Sequence, residues 1–204
     1  FNISREEQDR FAHESNLKAM KASREGKFKE EIFPLSIPSK KEEPVVFEID
    51  EGPRDTDLKS MAKLKSVFKE GGVVTAANSS KISDGASALV LMSKEKAQAL
   101  GVKPMAKVGA QAGAGVELED VLVAPIQSIP KALKKAALSL KDIDLFEINE
   151  AFSATTVAIF KTLGIDKDKV NVHGGAVAIG HPIGASGARV LTTLLYAMKD
   201  RGAK

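Results

Sequence analysis

The sequence predicts an α/β protein in which helices are layered on a mixed sheet, and three observations lead there. Apolar runs of strand length, Val73-Val74-Thr75, Ala88-Leu89-Val90-Leu91-Met92, Leu145-Phe146-Glu147-Ile148 and Val170-Asn171-Val172, alternate with stretches of helical period. That alternation is the pattern of strand–helix layering around a buried sheet. A glycine-rich turn, Gly174 to Gly187, separates the last of these runs from a long apolar helix. The first third is different, dense in charge and weak in periodicity, as expected of a lobe draped over the rest.

In chain order, Ser4-Arg5-Glu6-Glu7 is a capping box that opens a helix carrying Phe11, Leu17 and Met20, with Gly26 closing it. Short extended pieces follow at 33–35 and 45–49, joined by a polar link at 38–44. A helix over 57–68 places Leu58, Met61, Leu64 and Phe68 on one face. After the strand at 73–75, residues 78–85 are rich in turn formers, and 88–92 is a continuous apolar strand. Ser93 caps a helix over 94–100 that Gly101 ends, and 106–113 is the next strand. Helices over 129–140, 150–163 and 187–199 then alternate with strands at 145–148 and 170–172. The last helix turns Leu191, Leu194, Leu195 and Met198 inward.

Composition narrows the functional classes. With 30 Lys and Arg against 27 Asp and Glu, the net charge of +3 is too small and too dispersed for a nucleic-acid partner. No apolar run approaches the roughly 18 residues of a membrane span, which argues against a membrane partner, and nothing at the start reads as a signal peptide. There is no cysteine, hence no disulfide and no thiolate chemistry within these residues. No His/Asp/Glu cluster has metal-ligand spacing, so no metal is expected. The Gly113-Ala114-Gly115 run lacks the Lys-Ser/Thr of a phosphate loop. His13, on a charged helix, is expected to be exposed.

Two polar knots carry the chemistry. His181, between Gly180 and Pro182, is an imidazole on a rigid turn facing a helix start, where a proton-transfer group can be aimed. Asn149-Glu150-Ala151-Phe152 lies between an apolar strand and a helix. Asn149 at a strand end could equally cap the next helix, and His181 alone could be a structural turn histidine. His173 reads as structural.

These motifs resemble a known family. Asn149-Glu150-Ala151-Phe152, Asn171-Val172-His173-Gly174-Gly175-Ala176 and Gly180-His181-Pro182-Ile183-Gly184-Ala185-Ser186-Gly187-Ala188-Arg189 resemble the C-terminal motifs of thiolases, most closely the acetyl-CoA acetyltransferases among them. The likeness extends upstream through Asn78-Ser79-Ser80-Lys81-Ile82-Ser83-Asp84-Gly85-Ala86 and Ser4-Arg5-Glu6-Glu7-Gln8-Asp9, and so covers essentially the whole chain. It implies the thiolase fold, with residues 1–75 part of an α+β loop domain and residues 76–204 an incomplete C-terminal domain. The N-terminal half and the final strands, with both family cysteines, are expected to lie outside these residues. On that reading the chain is a fragment, inactive by itself and prone to associate through unpaired strand edges and uncovered apolar surface.

The resemblance implies reversible Claisen condensation of two acetyl-CoA to acetoacetyl-CoA and CoA through a cysteine acyl-enzyme. The histidine matching His181 activates that cysteine and donates to the thioester oxygen. The asparagine matching Asn149 holds a water that completes an oxyanion hole. Ser80 matches a serine that meets the CoA pantetheine, and Phe68 and Phe152 match aromatic positions lining the pantetheine and acyl channel. Read without the family, Ser80 is a turn cap and the two phenylalanines are core. Two alternatives stand beside this: a degradative 3-ketoacyl-CoA thiolase of broad chain length, and a non-catalytic protein that binds acyl-CoA or lipid. No cofactor is implied beyond coenzyme A thioesters as substrates. The partners implied are acyl-CoA, the other thiolase half and further copies in a homodimer or homotetramer. The residues fix no compartment; the family allows a soluble protein of the cytoplasm or the mitochondrion.

Overall fold

The computed structural model describes residues 1–39 and 43–203, so part of the expected link at 38–44 lies outside the described residues. Helix α1 spans Arg5–Arg24, and its capping box forms as expected: Glu7 N–H donates to Ser4 Oγ while Ser4 N–H donates to the Glu7 carboxylate. Strands β1 (Leu35–Ile37) and β2 (Val45–Phe47) pair antiparallel in a small hairpin exposed on both faces. Helix α2 (Leu58–Ala62) is one turn and a half, shorter than the 57–68 expected, and only Met61 is buried. Helix α3 (Lys94–Ala99) starts on the Ser93 hydroxyl, which accepts from Lys96 N–H, and stops before Gly101 at φ +65°.

Helix α4 runs over Pro125–Ala136 and so begins earlier than the 129–140 expected. Proline at the first helical position has no N–H to leave unpaired. Leu140 belongs instead to a short 3-10 turn, Leu140–Asp142. Helix α5 (Ser153–Leu163) begins three residues later than expected, because Asn149 and Glu150 are in extended backbone with their side chains engaged elsewhere. Helix α6 (Ala176–Ile179) is a single turn. Helix α7 (Ile183–Arg201) begins four residues earlier than expected and ends at Gly202 in the left-handed conformation.

The expected strands behave differently from the helices. Residues 88–92 and 106–113 form no strand with any described segment, and Val90, Leu91 and Val108 stand exposed. An extended run becomes a strand only when a neighbour supplies the ladder, and here none lies alongside. Residues 73–75 lead into a turn that Asn78 closes, its Oδ1 accepting from Thr75 N–H at 2.8 Å. Segments 145–148 and 170–172 do meet, in a single parallel bridge between Phe146 and Val170. Beyond it the chain turns at Asn171, φ +45°, and the Asn171 side-chain amide replaces the backbone. It accepts from Ile148 N–H at 2.7 Å and donates to Ile148 O at 2.8 Å.

The main core gathers Ile148, Ile159, Ile165 and Val170, with Ile126, Ile129, Leu140, Phe146, Phe160 and Leu163 packed around it. A smaller cluster of Ala12, Met61 and Val177 joins α1 to α2 and α6. Helix α1 lies against α2, α5 and α6, and it buries Gln8, Asp9, Ala12, Ser15, Asn16, Ala19 and Ala22, while Leu17 is exposed. Helix α7 likewise buries Ser186, Thr193 and Ala197 rather than its leucines. Both long helices turn small or polar residues inward, and for α1 the reason is a glycine-rich backbone that comes close. A Cβ on Gly174 would sit 2.5 Å from Ser15 O and 2.9 Å from Ala19 N.

Candidate active site

The turn between α6 and α7 is built from close backbone contacts. Gly180, at φ +101°, occupies a conformation side chains rarely adopt, and a Cβ there would collide with Ser83 Oγ. His181 N–H donates to Lys81 O at 3.1 Å, which stitches this turn to the 78–83 segment. On the other side of Lys81, Ser80 N–H donates to Ala151 O at 3.1 Å, and Ser79 bridges Phe152. The Asn149 and His181 knots are thus both anchored on one segment, and a shallow cleft of about 450 Å³ opens beside it between Ser83–Ser87 and Pro182–Ala185.

The imidazole of His181 is held at both nitrogens. The Ser186 hydroxyl, buried in the first turn of α7, donates to Pro182 O at 3.0 Å and lies 2.6 Å from His181 Nδ1. With its proton committed to the carbonyl, Ser186 accepts from Nδ1–H. That leaves Nε2 as the acceptor, 3.2 Å from the Nδ2 of Asn149. The Asn149 Oδ1 is buried with no partner among the described residues, so it does not cap α5. The arrangement presents a basic ring nitrogen beside an amide donor.

Phe68 and Phe152 meet beside the segment that carries Ser80. The Phe68 and Phe152 rings stand edge to face, centroids 5.8 Å apart, and Phe68 is 73% exposed. Phe68 therefore lies neither on a helix nor in the core. The turn around Ser80 is capped by its neighbours instead, Asn78 on Thr75 N–H and Ser79 on Thr75 O. Three groups near the site were not singled out from the sequence. Ser186 lies within the Gly180–Arg189 motif, where sequence alone assigns it no role. The Lys81 ammonium reaches the carbonyls of Gly52 and Ala178, and burial, with Arg54 adding to it, lowers its pKa to about 8. Glu147 pairs with Arg189. The last two could not be read from spacing, since their partners are distant in sequence.

Behind the site, Glu150 is fully buried and accepts from Ser15 Oγ at 2.7 Å, Asn171 Nδ2 at 2.8 Å and Val177 N–H at 3.1 Å. Burial raises its pKa, and these donors oppose the rise. His173 is buried edge-on to Phe28, 6.0 Å between centroids, in keeping with a packing role; burial lowers its pKa. His13 is not free on the surface as expected, because its Nδ1 lies 2.7 Å from Thr56 Oγ1. Among the described residues no group of His, Cys, Asp or Glu could hold a metal ion, and no helix is long and apolar enough to cross a membrane.

Two family models match the chain: "Thiolase, N-terminal domain" over residues 1–95 and "Thiolase, C-terminal domain" over residues 102–204. The chain is 53% identical over 206 residues to an acetyl-CoA acetyltransferase of Syntrophomonas wolfei, covering 100% of this chain and 52% of that protein. It is 48% identical over 205 residues to an acetyl-CoA acetyltransferase of Pseudomonas aeruginosa, with the same two coverages, 100% and 52%. Among solved structures, it superimposes on the Bacillus anthracis acetyl-CoA acetyltransferase with a TM-score of 0.95 at 44% identity, covering 98% of this chain and 51% of that one. The human mitochondrial 3-ketoacyl-CoA thiolase gives a TM-score of 0.91 at 36% identity, covering 99% of this chain and 51% of that one. The chain thus spans about half the length of the relatives it matches, and its fold is theirs. By sequence and by fold, it belongs to the thiolase family.

Proposed function

We propose that the protein of which these residues form part is a thiolase of the short-chain type, condensing two acetyl-CoA to acetoacetyl-CoA and CoA, or the reverse. The observation that carries this is the Ser186–His181–Asn149 chain, which leaves Nε2 of His181 as a base beside an amide donor. The nucleophilic cysteine belongs to residues outside these 204, which contain none. In our reading His181 Nε2 takes the thiol proton, and the thiolate attacks the thioester carbon. Once protonated, Nε2 can no longer accept from Asn149 Nδ2, so both N–H groups turn to a shared acceptor. Two donors about 3 Å apart suit one developing oxyanion, and removing such a donor costs roughly 10²- to 10³-fold in rate. Ser80, Phe68 and Phe152 form the pantetheine-binding flank. We take residues 1–75 as part of the loop domain and 76–204 as the C-terminal domain, in a homodimer or homotetramer.

The relatives at 48–53% identity are named acetyl-CoA acetyltransferases, while some at 47% are named only as probable acetyl-CoA acyltransferases, and on this balance we prefer the short-chain reading over the broad-chain one. The test is acyl-chain kinetics on the full-length protein. We expect acetoacetyl-CoA to be cleaved in preference to long ketoacyl-CoA, and His181→Ala and Asn149→Ala each to lower kcat by ~10²-fold or more. Equal turnover of short and long chains would replace this reading with the degradative one. Acyl-CoA binding without turnover would leave a binding protein.

A further inference from the structure

Asn149 and His181 are delivered by different segments, the extended run at 145–149 and the turn leading into α7, and a second bridge joins the same two segments. Arg189 Nη1 donates to Glu147 Oε1 at 3.0 Å, with the Glu147 side chain 1% exposed and that of Arg189 17%. Residues two apart in an extended run share a face, so Glu147 and Asn149 both reach toward α7. Residues three apart on a helix are neighbours, so Arg189 lies beside Ser186, the anchor of the imidazole. The two bridges run side by side between the same pair of elements, one at the surface of the site and one beneath it.

We propose that the Glu147–Arg189 bridge is a positioning pair, holding the 145–149 segment in register with α7 and thereby setting the separation of the Asn149 amide and the His181 imidazole. The inference rests on the reading of Asn149 and His181 as the working pair. A purely stabilising role explains this pair poorly, because taking two charges out of water offsets most of their attraction. The surroundings oppose a charge on Glu147, which Glu150 and Glu31 face, while Glu31 and Asp50 face Arg189 and compete with Glu147 for it. Burial pushes Glu147 up to about 8, with Arg189 pulling it down.

The experiment compares Glu147→Gln, Arg189→Met, Arg189→Lys and the paired replacement Glu147→Leu/Arg189→Leu in the full-length protein. For Arg189→Met we expect kcat to fall ~10- to 100-fold with KM changed less than about twofold, as misplacement by an ångström does, and for Glu147→Gln, which keeps an acceptor in the same place, a smaller fall. Arg189→Lys should recover part of the loss, and the pH–rate profile should change shape as the imidazole leaves the amide. The paired leucines remove both charges together, and so should keep the melting temperature while retaining the kcat deficit. Wild-type kcat and pH profile in the paired variant would overturn the proposal, even if the single variants do not fold. Running Asn149→Ala and His181→Ala alongside separates the two ideas. Full turnover in these removes the functional reading itself, whereas their inactivity with normal turnover in the paired leucine variant removes only the positioning role.

Discussion

Gly175 illustrates how little room surrounds the buried carboxylate behind the site. A Cβ there would lie 2.4 Å from Glu150 Cδ and 2.6 and 2.7 Å from its two oxygens. The Glu150 carboxylate cannot withdraw without giving up Ser15, Asn171 and Val177 N–H. Gly175→Ala should therefore destabilise the fold by about 1–3 kcal/mol or more, although its extended backbone suits alanine. Denaturant titration reads this directly, and an unchanged midpoint would show that the carboxylate has somewhere else to go. At this scale the sequence was informative for residues inside contiguous motifs. His181 and Asn149 could be picked out because glycine, proline and a helix start surround them. Lys81 and the Glu147–Arg189 pair could not, since their partners are set by how distant segments pack.

At the scale of elements, local chemistry fixed where α1 and α3 begin, and tertiary packing fixed which face the long helices bury. The Ser4 hydroxyl accepts from Glu7 N–H at 3.2 Å, and Ser4→Ala removes that acceptor from the start of the longest helix in the described residues. The expected loss is about 1 kcal/mol, seen as a lower denaturation midpoint, with Ser4→Asp restoring most of it. No change in midpoint would mean the α1 terminus frays without consequence. The apolar pattern of α1 pointed to Phe11, Leu17 and Met20, yet the buried row is Ala12, Ser15, Ala19 and Ala22. A hydrophobic stripe marks the buried face when side chains fill the gap between elements. Here the gap is closed by backbone approaching backbone at Gly174, and small residues are what that approach allows.

For the whole molecule, the buried carboxyl cluster around Arg189 sets a pH dependence. Burial raises Glu31 to about 7 and Glu147 to about 8, from a reference of 4.5. A carboxyl with a raised folded-state pKa keeps its proton after the unfolded chain has lost its own. Stability from these groups is thus complete below about 4.5 and falls as pH rises toward 8. His173, lowered by burial, acts in the opposite sense and only as pH drops through 6.5. Stability should therefore decline between about pH 6.5 and about pH 8, and Glu31→Gln, which carries no ionisable proton, should flatten the decline up to about pH 7, leaving the part above it that belongs to Glu147. Denaturant midpoints across that range check it; a flat wild-type profile would show that Glu31 and Glu147 are ionised throughout.

The sequence by itself determined the family, the capped starts of α1 and α3 and the residues of the Asn149 and His181 knots. Each of these is written in neighbours along the chain: a capping box, a serine before a helix, a glycine–histidine–proline turn. The tertiary structure alone decided the rest. It showed that apolar runs at 88–92 and 106–113 are extended without being strands, because a ladder needs a partner that composition does not name. It ended the 145–148 and 170–172 pairing at Asn171, where a side-chain amide takes over from the backbone. It also set His181 Nε2 against Asn149 through Ser186, a separation that depends on three segments meeting and on no local preference.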